Sequence, residues 1–209
     1  MLRNPNSMNV SPQIETFLER SKVGNLIPVT CQILAGWDTP LSAYQKLRRG
    51  SQSFLFESVE GGERQSRYSF VGVNPRGRIR QVGDEVTWEE DGNMVERRPV
   101  SPENDALRMV EKAMARYKTA PSDFHAPFTG GAVGFIGYEF IHQVEPTVPR
   151  PPKDDLGVPT LTLLLAEEAL VFDHVAQRIT VVVNVFVAPE DDPKARYAAA
   201  CARIQEILD

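Results

Sequence analysis

Hydrophobic and polar positions change period several times along the chain, and the changes mark out its elements. Over 27–35, 53–59, 67–74, 76–82, 86–90 and 94–98, apolar residues alternate with polar ones or form short continuous blocks, which predicts six strands. Asp91-Gly92-Asn93 supplies hairpin turn chemistry between the last two, so this region reads as mainly antiparallel. Strand patterns return over 131–137, 160–172 and 179–187. The last of these is almost continuously apolar, as a strand covered on both faces would be.

Helical spacing appears at Ile14, Phe17 and Leu18, at Leu41, Tyr44 and Leu47, at Leu107, Val110, Met114 and Tyr117, and at Ala199, Ile204 and Leu208. Three of these stretches follow a hydroxyl-proline pair, Ser11-Pro12, Thr39-Pro40 or Ser101-Pro102. The hydroxyl can cap a helix, and proline at the first helical position lacks an N–H that would have no partner anyway. Helices are therefore predicted over 12–22, 40–49, 102–118 and 192–208. No internal repeat stands out, and residues 1–209 read as a single α+β domain.

A net charge of −5 with 24% charged residues argues against a broad nucleic-acid footprint, which rests on clustered Lys and Arg. The run Arg76-Gly77-Arg78-Ile79-Arg80 places three arginines at alternate positions; it reads as a solvated sheet face, with an acidic partner as the other reading. No apolar run approaches the ~20 residues that cross a bilayer, and the first twenty residues lack a secretory pattern, so no membrane partner and a cytoplasmic location are expected. Cys31 and Cys201 lie far apart without metal spacing, and His125, His142 and His174 fit no metal or nucleophile motif. No metal, cofactor or catalytic residue is assigned to this chain. The glycines of 130–137 lack the ending of a phosphate loop, and close backbone packing accounts for them better.

The segment from Ser53 to Gly72 concentrates the candidate chemistry. Leu55, Phe56 and Val59 flank Glu57 and Ser58, so a carboxylate and a hydroxyl are expected among large apolar side chains. Burying such groups costs about 1–3 kcal/mol each unless a partner is supplied. Arg67 on the next strand is one candidate partner, giving a hairpin salt bridge, and a ligand bearing an ammonium or carboxylate is another.

Leu55-Phe56-Glu57-Ser58 followed by Arg67-Tyr68-Ser69-Phe70 resembles a signature of the large subunit of anthranilate synthase, component I. Gly130 to Glu139, Asp154-Asp155-Leu156-Gly157-Val158-Pro159 and Val171-Phe172-Asp173-His174 resemble three further blocks of that family, in the same order. The resemblance spans about 27–187, which in the family lies in the amino-terminal domain. It implies sheets packed face to face with helices outside, completed by a catalytic, chorismate-binding carboxy-terminal half absent from this chain. The whole family enzyme is a lyase that converts chorismate, with glutamine or ammonia, into anthranilate and pyruvate in tryptophan biosynthesis. Its magnesium ligands are expected in the absent half, and its partner is a glutamine amidotransferase subunit, component II.

For this chain the resemblance implies a feedback-regulatory part forming one wall of a site for L-tryptophan. Ser58 would hold the amino-acid head group, Glu57 the ammonium and Arg67 the carboxylate, while Leu55, Phe56 and Val59 would cover the indole. Phe56 stands where relatives usually carry Leu. Two other readings are a fragment of aminodeoxychorismate synthase component I, from the folate pathway, and a stand-alone binding or interaction module.

Overall fold

A computed structural model describes residues 8–50, 52–57, 67–145, 147–149 and 156–209. The fold is mixed α and β, with two antiparallel sheets and helices. The sequence reading treats the chain as one domain; within it lie two compact units, one of residues 1–74, 117–130 and 167–209 and one of residues 75–116 and 131–166.

The first unit is built on six strands: β1 (Val10–Ser11), β2 (Leu26–Leu34), β3 (Ser53–Glu57), β4 (Tyr68–Val73), β10 (Glu168–Asp173) and β11 (Arg178–Phe186). Their order is β1-β2-β11-β10-β4-β3, which puts β11 in the interior and leaves β3 at an edge. Ile179 to Val185 of β11 are all buried, matching the continuous apolar pattern. Helices α1 (Ile14–Arg20), α2 (Pro40–Leu47) and α5 (Pro193–Leu208) belong to the same unit. Phe17, Ile27, Val29, Val71, Val181 and Ile204 form the centre of its core.

The second unit carries β5 (Gly77–Val82), β6 (Glu85–Glu90), β7 (Asn93–Pro99), β8 (Gly131–Ile136) and β9 (Leu161–Ala166), in the order β7-β6-β5-β9-β8. Helix α3 (Ala106–Met114) supplies Met109 to a core with Ile79, Val86, Trp88 and Leu161. A 3-10 turn at Tyr138–Phe140 leads from β8 into the short α4 (Ile141–Val144). Arg78 pairs with Glu89 directly across the β5–β6 ladder at 2.9 Å while Ile79 faces the core. The arginines of the run are half-buried, Arg76 and Arg78 beside acidic neighbours, rather than on a fully solvated sheet face. Gly134 takes no side chain, because a Cβ there would lie 2.0 Å from the Thr162 carbonyl oxygen.

Of the three hydroxyl-proline pairs, only Thr39-Pro40 caps a helix. Thr39 Oγ1 accepts from the Ser42 N–H at 3.1 Å, and Ser42 Oγ accepts from the Thr39 N–H at 2.9 Å. Ser11 instead belongs to β1, opposite Thr30, and α1 starts after Gln13. Ser101 pairs with Asn104 in a turn, and α3 starts after Asp105, whose Oδ1 accepts from the Arg108 N–H at 2.9 Å. Thr39→Ala should lower stability by about 1 kcal/mol, read as a shift in urea midpoint at constant m. Ser11→Ala and Ser101→Ala, which remove no cap, should change it by less than about half as much.

The pattern over 160–172 is two strands rather than one. β9 belongs to the second unit and β10 to the first, and the chain passes between them at Ala166–Glu167. Glu168 is buried at the start of β10, where Arg203 of α5 holds it through bonds of 2.7 and 2.8 Å. Asp192 and Pro193 start α5 as the sequence indicated, with Asp192 Oδ1 accepting from the Lys194 N–H at 3.0 Å.

Candidate functional site

The β3–β4 ladder sets Phe54 opposite Gly72, Leu55 opposite Val71, Phe56 opposite Phe70 and Glu57 opposite Ser69. Successive side chains of a strand point to opposite faces, so Ser53, Leu55 and Glu57 share one face while Phe54 and Phe56 share the other. On the first face Leu55 packs against the core, and Ser53 Oγ lies 3.0 Å from the Tyr44 hydroxyl of α2, which fixes that helix over the strand. Beyond them Glu57 is exposed at the end of an edge strand, which corrects the expectation of a buried carboxylate.

The second face is an aromatic shelf. Phe54 lies 5.4 Å from Phe56 and 5.8 Å, edge to face, from Phe128, which makes a matching 5.8 Å contact with Phe70. Tyr68 stacks at 6.2 Å on Phe70, and the Phe54 ring occupies the space that a Cβ on Gly72 would need. These centroid distances fall in the range where aromatic pairs add about 0.5–1.5 kcal/mol to plain burial. Phe56 closes the shelf and stays 48% exposed.

Arg67 does not pair with Glu57. Its guanidinium grips Asp173 through Nε at 3.1 Å and Nη2 at 2.7 Å, and it lies 4.9 Å over the Tyr68 ring. A guanidinium has five N–H donors, so this fork leaves others for a further acceptor. Beside it, Ser69 Oγ is 2.8 Å from His174 Nε2. The fork from Arg67 holds the Asp173 carboxyl below its usual range, backbone N–H groups of Ala176 and Val175 assist, and burial opposes.

A carboxylate with a depressed folded value contributes stability above its unfolded value, near pH 4, and loses it as pH falls through the folded one. Arg67→Gln should therefore flatten the fall of unfolding free energy below about pH 4, measured by urea titrations across pH. An unchanged acid limb would show that the pair does not govern it.

Of the residues singled out from sequence, Leu55, Phe56, Glu57 and Arg67 are placed at this end of the sheet, whereas Ser58 and Val59 lie outside the described residues. Phe54, Phe70, Phe128 and Asp173 join them without having been singled out for the site. The alternation of Phe54, Phe56, Tyr68 and Phe70 carried a signal for four of the shelf's rings; Phe128 comes from a loop that no periodicity marks.

Relatedness to known proteins follows the same region and extends well past it. No protein-family model matches the chain. Anthranilate synthase component 1 of Pseudomonas putida is 39% identical over 197 residues, covering 93% of this chain and 38% of that protein. The chain is a homologue of anthranilate synthase component 1. The component 1 protein of Acetivibrio thermocellus is 34% identical over 203 residues, covering 95% of this chain and 40% of that protein. A crystal structure of anthranilate synthase component I from Streptococcus pneumoniae aligns with 84% of this chain and 36% of its own, at 25% identity and a TM-score of 0.48. The chain thus spans about two fifths of the length of the curated component 1 relatives it matches. Among the described residues no three His, Cys, Asp or Glu side chains converge as a metal site, and no helix is long and apolar enough to cross a membrane.

Proposed function

We propose that this chain is the amino-terminal, feedback-regulatory part of an anthranilate synthase component 1, and that the free edge of β3 forms one wall of a tryptophan site. The carrying observation is homology to component 1 proteins along more than nine tenths of the chain, through the β3–β4 segment. Because β3 is the edge strand of the sheet among the described residues, a ligand lying along it reaches side chains of both faces and the backbone groups of the edge.

In this reading the indole rests against Phe56 and the aromatic shelf, Glu57 takes the ammonium, and the remaining N–H groups of Arg67 meet the carboxylate. Ser58 and Val59 continue the wall, and Leu55 anchors the strand from the core side. An indole buries on the order of 150–250 Å², worth several kcal/mol at ~25 cal/mol per Å², so one wall alone supplies only part of the affinity. Conversion of chorismate to anthranilate, the magnesium it uses and recruitment of component II are assigned to the complete enzyme. The described residues offer no convergent ligand set for magnesium, and no catalytic step is placed on them.

A chimera tests this reading, with this chain replacing the matching segment of the Pseudomonas putida protein. With ammonium, magnesium and chorismate it should release fluorescent anthranilate within tenfold of the parent rate. A soluble, folded chimera with no activity would count against the assignment.

A further inference from the structure

We propose that a cavity of the first unit, between α2, α5 and the six-stranded sheet, binds a small amphipathic carboxylate. It encloses about 340 Å³, toward the lower end of the range common for ligand sites, about 300–1,000 Å³. Its floor is apolar, formed by Leu170, Ile179 and Val181 from the sheet, Ala43 and Leu47 from α2, and Ile207 from α5, while polar and charged groups make up the rest of its lining. Against the apolar floor water finds few partners, so an apolar group gains by displacing it there. No residue of β3 or β4 lines it, which separates it from the wall described above.

The mouth carries five charges, and most are already committed. Lys46 pairs with Asp38 at 2.6 Å, Glu206 with Arg203 at 2.9 Å, and Asp209 accepts from the Gln205 amide at 2.7 Å. Arg49 is exposed at the rim and, among the described residues, has no carboxylate within ion-pair distance. Its planar fork matches a carboxylate bidentately. Glu206 and Asp209 on the opposite side disfavour a multiply charged anion such as phosphate. An apolar floor, a guanidinium without a carboxylate partner among the described residues, and an acidic far rim therefore fit a singly charged organic acid with a hydrocarbon or aromatic body.

The probe is 4-phenylbutyrate titrated into the isotope-labelled 209-residue chain by NMR, with the neutral alcohol 4-phenylbutanol and the cation 4-phenylbutylamine as comparators. The amides of Ala43, Leu47, Ile179 and Ile207 should shift together. Binding should weaken at least fivefold for the alcohol and at least tenfold in Arg49→Glu, an exposed change that leaves the fold intact. Shifts scattered over the surface, equal affinity for the Arg49→Glu variant, or tighter binding of the amine would each overturn the assignment. Ala43→Phe, which fills the cavity, should abolish the localised shifts; their persistence in that variant, if folded, would do the same.

Discussion

Replacing Arg203 with alanine is expected to destabilise the unit built on the six-stranded sheet by about 3–5 kcal/mol, the range for stripping one partner from a buried ion pair. Glu168 is the reason. It is buried on β10, and both its oxygens are held by the Arg203 guanidinium at 2.7 and 2.8 Å. Without that fork the carboxylate has neither water nor a counter-charge, and α5 loses its anchor to β10. The same fork raises the pKa of Arg203 itself, so the pair stays ionised on its basic side at every accessible pH. Adding Glu168→Gln to the alanine variant removes the stranded charge and should restore at least about 1 kcal/mol. Urea unfolding followed by far-UV circular dichroism measures both. A loss below about 1 kcal/mol in the single variant would mean that water reaches Glu168 and the pair is a surface one.

Gly134→Val should be comparably damaging, at about 3 kcal/mol or more, although strand propensity alone predicts the opposite sign. Valine is among the best strand formers and glycine among the worst, a difference worth up to ~1 kcal/mol in favour of the variant. Steric contact decides the matter. A Cβ at Gly134 would sit 2.0 Å from the Thr162 carbonyl oxygen and 3.0 Å from its carbon, and backbone of a paired strand cannot rotate away as a side chain would. Relief requires β8 to leave β9, breaking the ladder that pairs Gly134 with Leu163. The two tryptophans make the effect easy to localise. Trp88 is 3% exposed in the core of the second unit, whereas Trp37 in the first is fully exposed, so a change in emission on unfolding reports mainly the second unit. The emission midpoint should fall sharply in Gly134→Val, and an unchanged midpoint would refute the clash.

That glycine shows how far the sequence could be read. Close packing was legible in the spacing of the glycines of 130–137, but the atom met by each missing side chain depends on a register that only the fold reveals. The interior strand β11 was legible too, because burial on both faces leaves an apolar run with no alternation. Runs of similar character were misjudged where the chain changes sheets. Residues 160–172 look uninterrupted, and only the Glu167-Glu168 doublet hints that β9 and β10 are separate. The hydroxyl-proline pairs carry the same lesson at short range. Thr39, Ser11 and Ser101 offer the same chemistry, yet strand pairing claims Ser11 and a turn claims Ser101.

At the candidate site, sequence located the segment and misjudged its surroundings. Leu55, Phe56 and Glu57 were read as one apolar setting for a buried acid, but an edge strand sends Leu55 to the core, Phe56 to the aromatic shelf and Glu57 into solvent. Edge position follows from which strands pair, and no local pattern encodes it. The partner of Arg67 was hidden for the same reason: Asp173 lies 106 residues away and meets it because β10 pairs with β4.

Tryptophan titration of anthranilate formation by the chimera, with and without Glu57→Gln and Phe56→Ser, tests the central claim most directly. The account predicts inhibition of the unaltered chimera, with the tryptophan concentration for half inhibition raised at least tenfold by either substitution and the uninhibited rate kept within about twofold. Inhibition curves that superimpose would contradict it, because the free edge of β3 would then form no part of the tryptophan site.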